Sequence, residues 1–205
     1  DSRESADVLC SLEGESAETG EGYEMRLESR KGGRGVLHLR AAAPQGLFYA
    51  WQSAVQILNA NRTEGGFFVP AFSIRDVPRF EWRGIMLDVS RHFFTMAEVK
   101  RMIDTMSLFK LNRLHLHLTD GPGWRLEFKK YPLLTAMSAW RVPLASGEWN
   151  WQEVKLAIQE NDPEATYGGF YTQEQMKEII AYARSRRVTV VPLSLIHISE
   201  PTRPY

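Results

Sequence analysis

Two charged side chains directly follow predicted β-strands, and their types suit the binding of sugar hydroxyl groups. Arg91 follows an almost continuous apolar run at residues 84–90, and Asp120 follows an alternating segment at residues 113–119. Because neighbouring parallel strands end at the same rim of a sheet, we expect the two side chains to lie close together. A guanidinium supplies a fork of donors and a carboxylate supplies acceptors, so the pair can hold vicinal hydroxyls. Spacing alone favours a structural salt bridge over a ligand site and leaves both open.

The histidines, the cysteine and Ser90 do not form a recognisable metal site or nucleophilic catalytic site in the sequence. His115 and His117 alternate with leucines and are expected to point the same way as Thr119, into the interior of a sheet or barrel. Without a third ligand at metal spacing, we interpret them as a core histidine pair with satisfied hydrogen bonds rather than as a zinc site. Cys10 is the single cysteine, which excludes an internal disulfide and a cysteine-built zinc site. No hydrolase elbow surrounds Ser90, and no phosphate-binding glycine loop is present.

The composition is that of an ordinary globular protein. The chain has 205 residues, of which 43% are apolar, with 25 basic and 25 acidic side chains. A net charge of zero gives no electrostatic reason to expect nucleic acid or an anionic membrane as a partner. No run approaches ~18 uninterrupted apolar residues, so the sequence predicts no membrane span.

The segment at residues 76–192 alternates between strand and helix patterns. The two strands before Arg91 and Asp120 are followed by a third at residues 188–191. The capping boxes that open the intervening helices pair Thr95 with Glu98 and Thr172 with Gln175. The apolar stripes expected to face the core are Val99, Met102, Ile103, Met106 and Phe109 in one helix and Met176, Ile179, Ile180 and Ala183 in the other. Strand, helix, strand, helix and strand predict right-handed parallel units and an α/β fold.

A smaller module precedes this segment. Residues 1–22 are acidic and rich in Ser, Glu and Gly, and they predict a loose N-terminal segment. Residues 23–75 predict a small α+β domain. Its elements are a hairpin of residues 23–27 with 36–39, a helix at residues 47–58, and one more short strand at residues 67–69. Pro44 and Gly46 are expected to break the chain before the helix, and residues 75–83 form the predicted junction.

A long loop joins the second strand to the second helix. It spans roughly 50 residues, and loops of such length usually carry function. Four of the six tryptophans lie in it, at Trp124, Trp140, Trp149 and Trp151. They predict either aromatic anchors that pack the loop down or a wall on which flat sugar faces stack, and the sequence leaves these two interpretations open.

Several long motifs follow one another between residues 22 and 192. They are GLFYAWQ at 46–52, WRGIMLDVSRHF at 82–93, NRLHLHLTD at 112–120 with GWR at 123–125, AWR at 139–141, and YGGFYTQ at 167–173. In this order they resemble the family 20 glycoside hydrolases, the β-N-acetylhexosaminidases. The resemblance implies an α/β fold, namely a partial (β/α)₈ TIM barrel preceded by a small α+β domain. The chain corresponds to the end of that domain and the first three barrel strands.

The resemblance also implies a role for the two charged residues. Arg91 falls where the family has the arginine that grips hydroxyls of the terminal sugar, and Asp120 falls on the family's aspartate of the same pocket. One departure is visible, because Gly121 and Pro122 stand where the family usually has a second acidic residue and then Gln. The implied activity is exo-acting removal of terminal N-acetylglucosamine or N-acetylgalactosamine from a glycan.

The family's chemistry is substrate-assisted and retaining. The 2-acetamido carbonyl of the sugar attacks its own anomeric carbon, an aspartate orients the acetamide, and an adjacent glutamate acts as general acid and then base. That Asp–Glu pair follows the fourth barrel strand in the family and is not in this chain, so we assign no catalytic residue here. Asp162 and Glu164 lie in the loop before the third strand, at the wrong place for it. The resemblance implies no metal and no organic cofactor.

The last residues depart from the family abruptly after Pro192. Residues 193–205 resemble a translated sequencing adapter and predict a non-native tail, although Leu193, Leu195 and Ile198 would also suit an extension of the third strand. The sequence is therefore expected to be a truncated fragment that is inactive by itself.

Two other functions are compatible with the residues. One is a non-catalytic carbohydrate-binding or scaffold protein on a TIM-barrel framework, and the other is a generic open α/β binding domain. An Asp–Glu pair after the fourth strand would separate the enzyme from the scaffold. The family suggests a secreted, periplasmic or lysosomal protein, and the chain itself leaves the compartment open.

Overall fold

The computed structural model describes residues 8–13, 20–29, 35–64, 66–142, 160 and 162–194. The chain divides into two compact units. The first contains the residues up to Arg83 together with Leu108–Lys110, and the second contains Gly84–Ser107 and the residues from Leu111 onward.

In its described residues, the first unit has a four-stranded sheet and one helix. Its elements in chain order are β1 (Val8–Leu12), β2 (Tyr23–Ser29), β3 (Gly35–Ala41), α1 (Pro44–Ala60), β4 (Arg62–Thr63), β5 (Gly66–Phe67) and β6 (Phe72–Asp76). The strand order is β1-β3-β2-β6, and β4 pairs with β5 in a separate short hairpin. The predicted hairpin is confirmed, because β2 and β3 pair antiparallel from Tyr23 opposite Ala41 to Ser29 opposite Gly35.

Two strands of this sheet lie where the sequence predicted none. Val8–Leu12 pairs in parallel with β3, so the prediction of a loose segment at residues 1–22 is wrong for this stretch. The strand is held by backbone pairing. Val8, Cys10 and Leu12 are exposed while Leu9 and Ser11 are partly buried, so no buried apolar stripe marks the strand. Strand β6 pairs with β2 and contains Arg75, which places the predicted domain boundary inside a sheet strand.

Helix α1 covers the sheet with its small and aromatic side chains. Tyr49, Ala50 and Ala54 are buried against Met25 and Leu39 of the hairpin, and these residues form the core of the unit. The helix begins earlier than predicted, since Pro44 occupies its first turn instead of breaking the chain. Proline is tolerated there because the first N–H groups of a helix have no intrahelical partner.

Gly46 fits the first turn of α1 because it has no side chain. A Cβ at this position would lie 2.3 Å from the carbonyl oxygen of Gly22 and 2.8 Å from the Cβ of Ala41. We therefore expect Gly46→Ala to lower the free energy of unfolding of the chain by ~1–3 kcal/mol, measured by urea denaturation. Asn59→Ala, at an exposed position of the same helix, serves as the control and should be neutral or slightly stabilising. A Gly46→Ala chain as stable as the parent would contradict this packing.

The second unit is an α/β unit with parallel central strands. Its elements are β7 (Gly84–Asp88), α2 (Met96–Leu108), β8 (Arg113–Asp120), β9 (Gly123–Trp124), α3 (Leu133–Ser138), β10 (Trp140–Arg141), β11 (Tyr167–Gly168), α4 (Gln173–Ser185) and β12 (Thr189–Ser194). The sheet order is β12-β8-β7, with β12 and β7 both parallel to β8, and the short strand β9 pairs antiparallel with the end of β8. The predicted α/β class is therefore confirmed.

Helices α2 and α4 bury one face each, as predicted. The core contains Val99, Ile103 and Met106 from α2 and Met176, Ile179 and Ala183 from α4, packed on Leu87, Val89, Leu114, Leu116, Leu118 and Val188. Both capping boxes are present. The Thr172 hydroxyl accepts from the Gln175 N–H at 3.1 Å, and the Thr95 hydroxyl accepts from the Glu98 N–H at 3.4 Å.

Two residues of the predicted apolar stripes on the helices are exposed instead of buried. Phe109 is exposed because α2 ends at Leu108, and Ile180 of α4 is exposed as well. In β7, Ile85 and Met86 are exposed although they belong to the almost continuous apolar run at residues 84–90. In the part of the chain that the structure describes, β7 is an edge strand with β8 as its one pairing partner.

The third parallel strand continues past Pro192, where the sequence motifs shared with the family stop. In β12, Leu193 pairs with His117 and Ser194 pairs with Thr119 after a shift in register. The extension of the strand, which the sequence left as an alternative, therefore holds for these two residues. Residues 195–205 of the predicted non-native tail lie outside the described residues.

Candidate functional site

Polar side chains converge at the carboxyl ends of β7 and β8. Asp88 is the last residue of β7, Asp120 is the last residue of β8, and Arg91 follows β7 by three residues. Arg91 Nη2 lies 2.6 Å from Asp120 Oδ2, and Nη1 lies 2.8 Å from Asp88 Oδ2. The two residues singled out in the sequence thus meet at one rim, and the Arg91 side chain is still 37% exposed.

Asp88 is a member of this cluster that sequence reasoning missed. Its Oδ1 accepts the backbone N–H groups of Ser90 and Arg91, at 3.0 Å each, while its Oδ2 binds the Arg91 guanidinium. One carboxylate therefore shapes the turn and also orients the side chain that the turn carries. A carboxylate at the end of an apolar strand, three residues before Arg91, is the signal that could have identified it.

His117 lies beneath the ion pair and is only 3% exposed. Its Nε2 lies 3.1 Å from Asp120 Oδ2 and 3.2 Å from Arg91 Nη1. A protonated Nε2 donates to the carboxylate, whereas an unprotonated Nε2 accepts from the guanidinium, so one nitrogen makes one of these bonds at a time. In either tautomer the ring therefore forms a hydrogen bond with one member of the Arg91–Asp120 pair. By contrast, the buried Nε2 of His115 has no hydrogen-bond partner among the described residues, so the predicted satisfied pair holds for one histidine.

A buried guanidinium lies behind the turn that carries Arg91. Arg125 is 0% exposed, and its Nε and Nη2 donate to the carbonyl oxygens of Val89 and Ser90 at 3.0 and 2.9 Å. Its Nη1 donates to the carbonyl oxygens of Ala139 and Gly169 at 2.5 and 3.1 Å. Burial, and to a lesser extent the charge of Arg141, lowers the pKa of Arg125 to about 10, so the group remains a cation at neutral pH.

A second guanidinium, that of Arg141, binds the carbonyl oxygen of the next residue of the turn. Its Nη2 donates to the carbonyl oxygen of Arg91 at 2.6 Å, and its guanidinium lies 4.4 Å from the centre of the Tyr167 ring. The Tyr167 hydroxyl accepts the Phe93 N–H at 3.0 Å and lies 2.7 Å from Nδ1 of His92. Sequence reasoning assigned no role to either arginine, although both belong to motifs that it noted.

The tryptophan wall remains a prediction. Trp124 is partly buried, and its indole N–H donates to the carbonyl oxygen of Leu126 at 2.6 Å, which is an anchoring contact. Trp140 is partly buried too, while Trp149 and Trp151 lie outside the described residues. Asp162 and Glu164 form an exposed turn in which Asp162 Oδ1 accepts the Glu164 N–H at 2.8 Å.

Neither a metal cluster nor a membrane-spanning helix is found in the described residues. No three His, Cys, Asp or Glu side chains among them come together as metal ligands would. None of the described helices combines the length and the apolar character that crossing a bilayer requires.

The parallel strands, with an arginine and two aspartates at their carboxyl rim, define an α/β unit of the kind found in TIM-barrel enzymes. The profile of the family described as glycosyl hydrolase family 20, catalytic domain, matches residues 80–194. The chain belongs to this family, and its α/β unit is part of the family's TIM-barrel catalytic domain.

Relatives and solved structures agree with this assignment. A β-hexosaminidase of Porphyromonas gingivalis is 40% identical over 84% of this chain and 20% of the relative. The N,N'-diacetylchitobiase of Vibrio harveyi is 34% identical over 90% of this chain and 20% of its own length. A crystal structure of the GH20 exo-β-N-acetylglucosaminidase from Vibrio harveyi with N-acetylglucosamine matches with a TM-score of 0.72 at 33% identity, over 92% of this chain and 27% of that one. The chain thus spans about a fifth of these curated relatives.

Proposed function

We propose that the whole protein to which this chain belongs is an exo-acting β-N-acetylhexosaminidase. It removes terminal N-acetylglucosamine or N-acetylgalactosamine from glycans, with retention of configuration. The observation that carries the proposal is the partly exposed Arg91 guanidinium fixed between Asp88 and Asp120 at the rim of a family 20 barrel segment.

In this proposal Arg91 and Asp120 bind hydroxyls of the terminal sugar. Arg91 donates from a guanidinium whose direction is set by two carboxylates, and Asp120 accepts through oxygens that still have lone pairs available. Such bonds involve charged groups and are stronger than neutral ones. Fixing the sugar ring at this rim leaves its 2-acetamido group to attack the anomeric carbon, while an Asp–Glu pair elsewhere in the whole protein supplies orientation and proton transfer.

The test compares two aryl glycosides on the full-length protein. A fluorogenic β-N-acetylglucosaminide should be hydrolysed, whereas the matching β-glucoside should be cleaved at least ~100-fold more slowly, because it lacks the internal nucleophile. NMR should show that the β-anomer of the sugar is released first. Equal cleavage of the two glycosides would contradict the substrate-assisted mechanism. Saccharide binding without any hydrolysis would favour the non-catalytic carbohydrate-binding protein.

A further inference from the structure

We propose that Arg125 and Arg141 are positioning residues that hold Arg91 in its sugar-binding geometry by fixing the backbone of Val89–Arg91. The inference rests on the proposed function of Arg91. Both residues are buried cations, and the bonds that they donate to this turn go to backbone carbonyl oxygens.

The turn that follows β7 is held through its carbonyl groups. The carbonyl oxygens of Val89, Ser90 and Arg91, three in succession, each accept a bond from a guanidinium. Val89 and Ser90 are completely buried, and buried carbonyls in a turn need partners from outside the strand ladder. The arginines supply these partners, so the path of the backbone after β7 depends on them.

Arg125 is itself held in place by its other hydrogen bonds. Its remaining donor group binds the carbonyl oxygens of Ala139 and Gly169, so one guanidinium joins the turn to two further segments of the chain. The fit around it is tight, because a Cβ at Gly123 would lie 2.6 Å from Arg125 Cζ. A planar group with five fixed donors can bind four carbonyls in this way, whereas an ammonium or an apolar side chain cannot.

Burying the guanidinium of Arg125 is unfavourable, and the nearby charge of Arg141 adds to the cost, as the lowered pKa of Arg125 indicates. Well-packed apolar residues often match or exceed the stability of buried charges, so stability alone does not account for the pair. Orientation does, because a displacement of about 1 Å in a substrate-positioning group can reduce a rate ~100-fold.

The experiment is a double-mutant cycle in the full-length enzyme. Arg141→Met should lower kcat/KM for an aryl β-N-acetylglucosaminide by roughly 10- to 100-fold in the parent, but by less than about twofold when Arg91 is already alanine. Arg141→Lys, which keeps the charge and a donor, should recover part of the loss. Arg186→Met, at the end of α4, is the control and should change kcat/KM by less than about twofold.

A loss of the same size in both Arg91 backgrounds would overturn the inference, because it would show that Arg141 does not act through Arg91. If Arg141→Met does not fold, Arg141→Lys takes its place in the cycle with the same criterion. Hydrogen exchange of the Ser90 and Arg91 amides provides a measurement without turnover, and it should accelerate at least ~10-fold in Arg141→Met. Unchanged exchange overturns the inference, whereas a parent enzyme that hydrolyses no aryl N-acetylhexosaminide overturns the proposed function.

Discussion

The 205-residue chain, purified by itself, is expected to hydrolyse an aryl β-N-acetylglucosaminide ~100- to 10,000-fold more slowly than a full-length relative. The reason is chemical, since no adjacent Asp–Glu pair occurs in the sequence. Without a general acid the leaving oxygen is not protonated, and without the orienting aspartate the acetamide is not held for attack. The acidic residues at the rim cannot replace the pair, because Asp88 and Asp120 are both engaged by Arg91.

The measurement is a fluorogenic assay of the purified chain beside the N,N'-diacetylchitobiase of Vibrio harveyi at equal concentration. The chain's circular dichroism spectrum, recorded in the same buffer, controls for failure to fold. Turnover within a hundredfold of the relative would mean that residues of this chain perform the proton transfer, and the assignment of the chemistry to an absent Asp–Glu pair would then be wrong.

In the full-length enzyme, Arg91→Ala is expected to lower kcat/KM by roughly 10- to 1,000-fold, because hydrogen bonds from a charged donor contribute about 1.5–3 kcal/mol each. The stability should change little, since the side chain is partly exposed and ion pairs of this kind contribute ~0–1 kcal/mol. Steady-state kinetics and thermal unfolding of the same preparations measure the two effects separately.

Arg186→Ala is the matched control for Arg91→Ala. Arg186 also forms an ion pair, with Asp104, and lies over the Tyr182 ring at the end of α4. Its removal should leave kcat/KM within about twofold of the parent. If Arg91→Ala behaved like this control, the Arg91–Asp120 pair would be a structural salt bridge, which is the alternative that spacing alone favours.

The local elements of the second unit could be predicted because their signals are short-range. The capping box of Thr172 and Gln175 involves residues three apart, and the alternation of Leu114, Leu116 and Leu118 has the period of a strand. Even the meeting of Arg91 with Asp120 followed from sequence, because parallel neighbours end at one rim. What this pair binds remains a prediction.

Strands β1 and β6 are the elements of the four-stranded sheet that the sequence did not predict. Strand β1 pairs with β3 through its backbone, so its side chains show no buried stripe, and β6 is a short edge strand bounded by prolines. Pro44 is a break in the sequence prediction, but a proline also suits the first turn of a helix, where the structure has it. Strand β6 does alternate, since Phe72 and Ile74 pack on the core while Ser73 and Arg75 are exposed, so a five-residue pattern of this kind is a signal that could have identified it.

The amino-acid sequence by itself determined the family, the α/β class and the two residues of the rim, since these depend on motifs and on strand and helix periods. Only the tertiary structure decided how the rim is held together. Arg125 donates to Val89 across 36 positions of sequence, and Arg141 donates to Arg91 across 50. Hydrogen bonds to carbonyl oxygens need no particular residue type in the acceptor, so no sequence pattern records them, and only the folded path of the chain selects the partners.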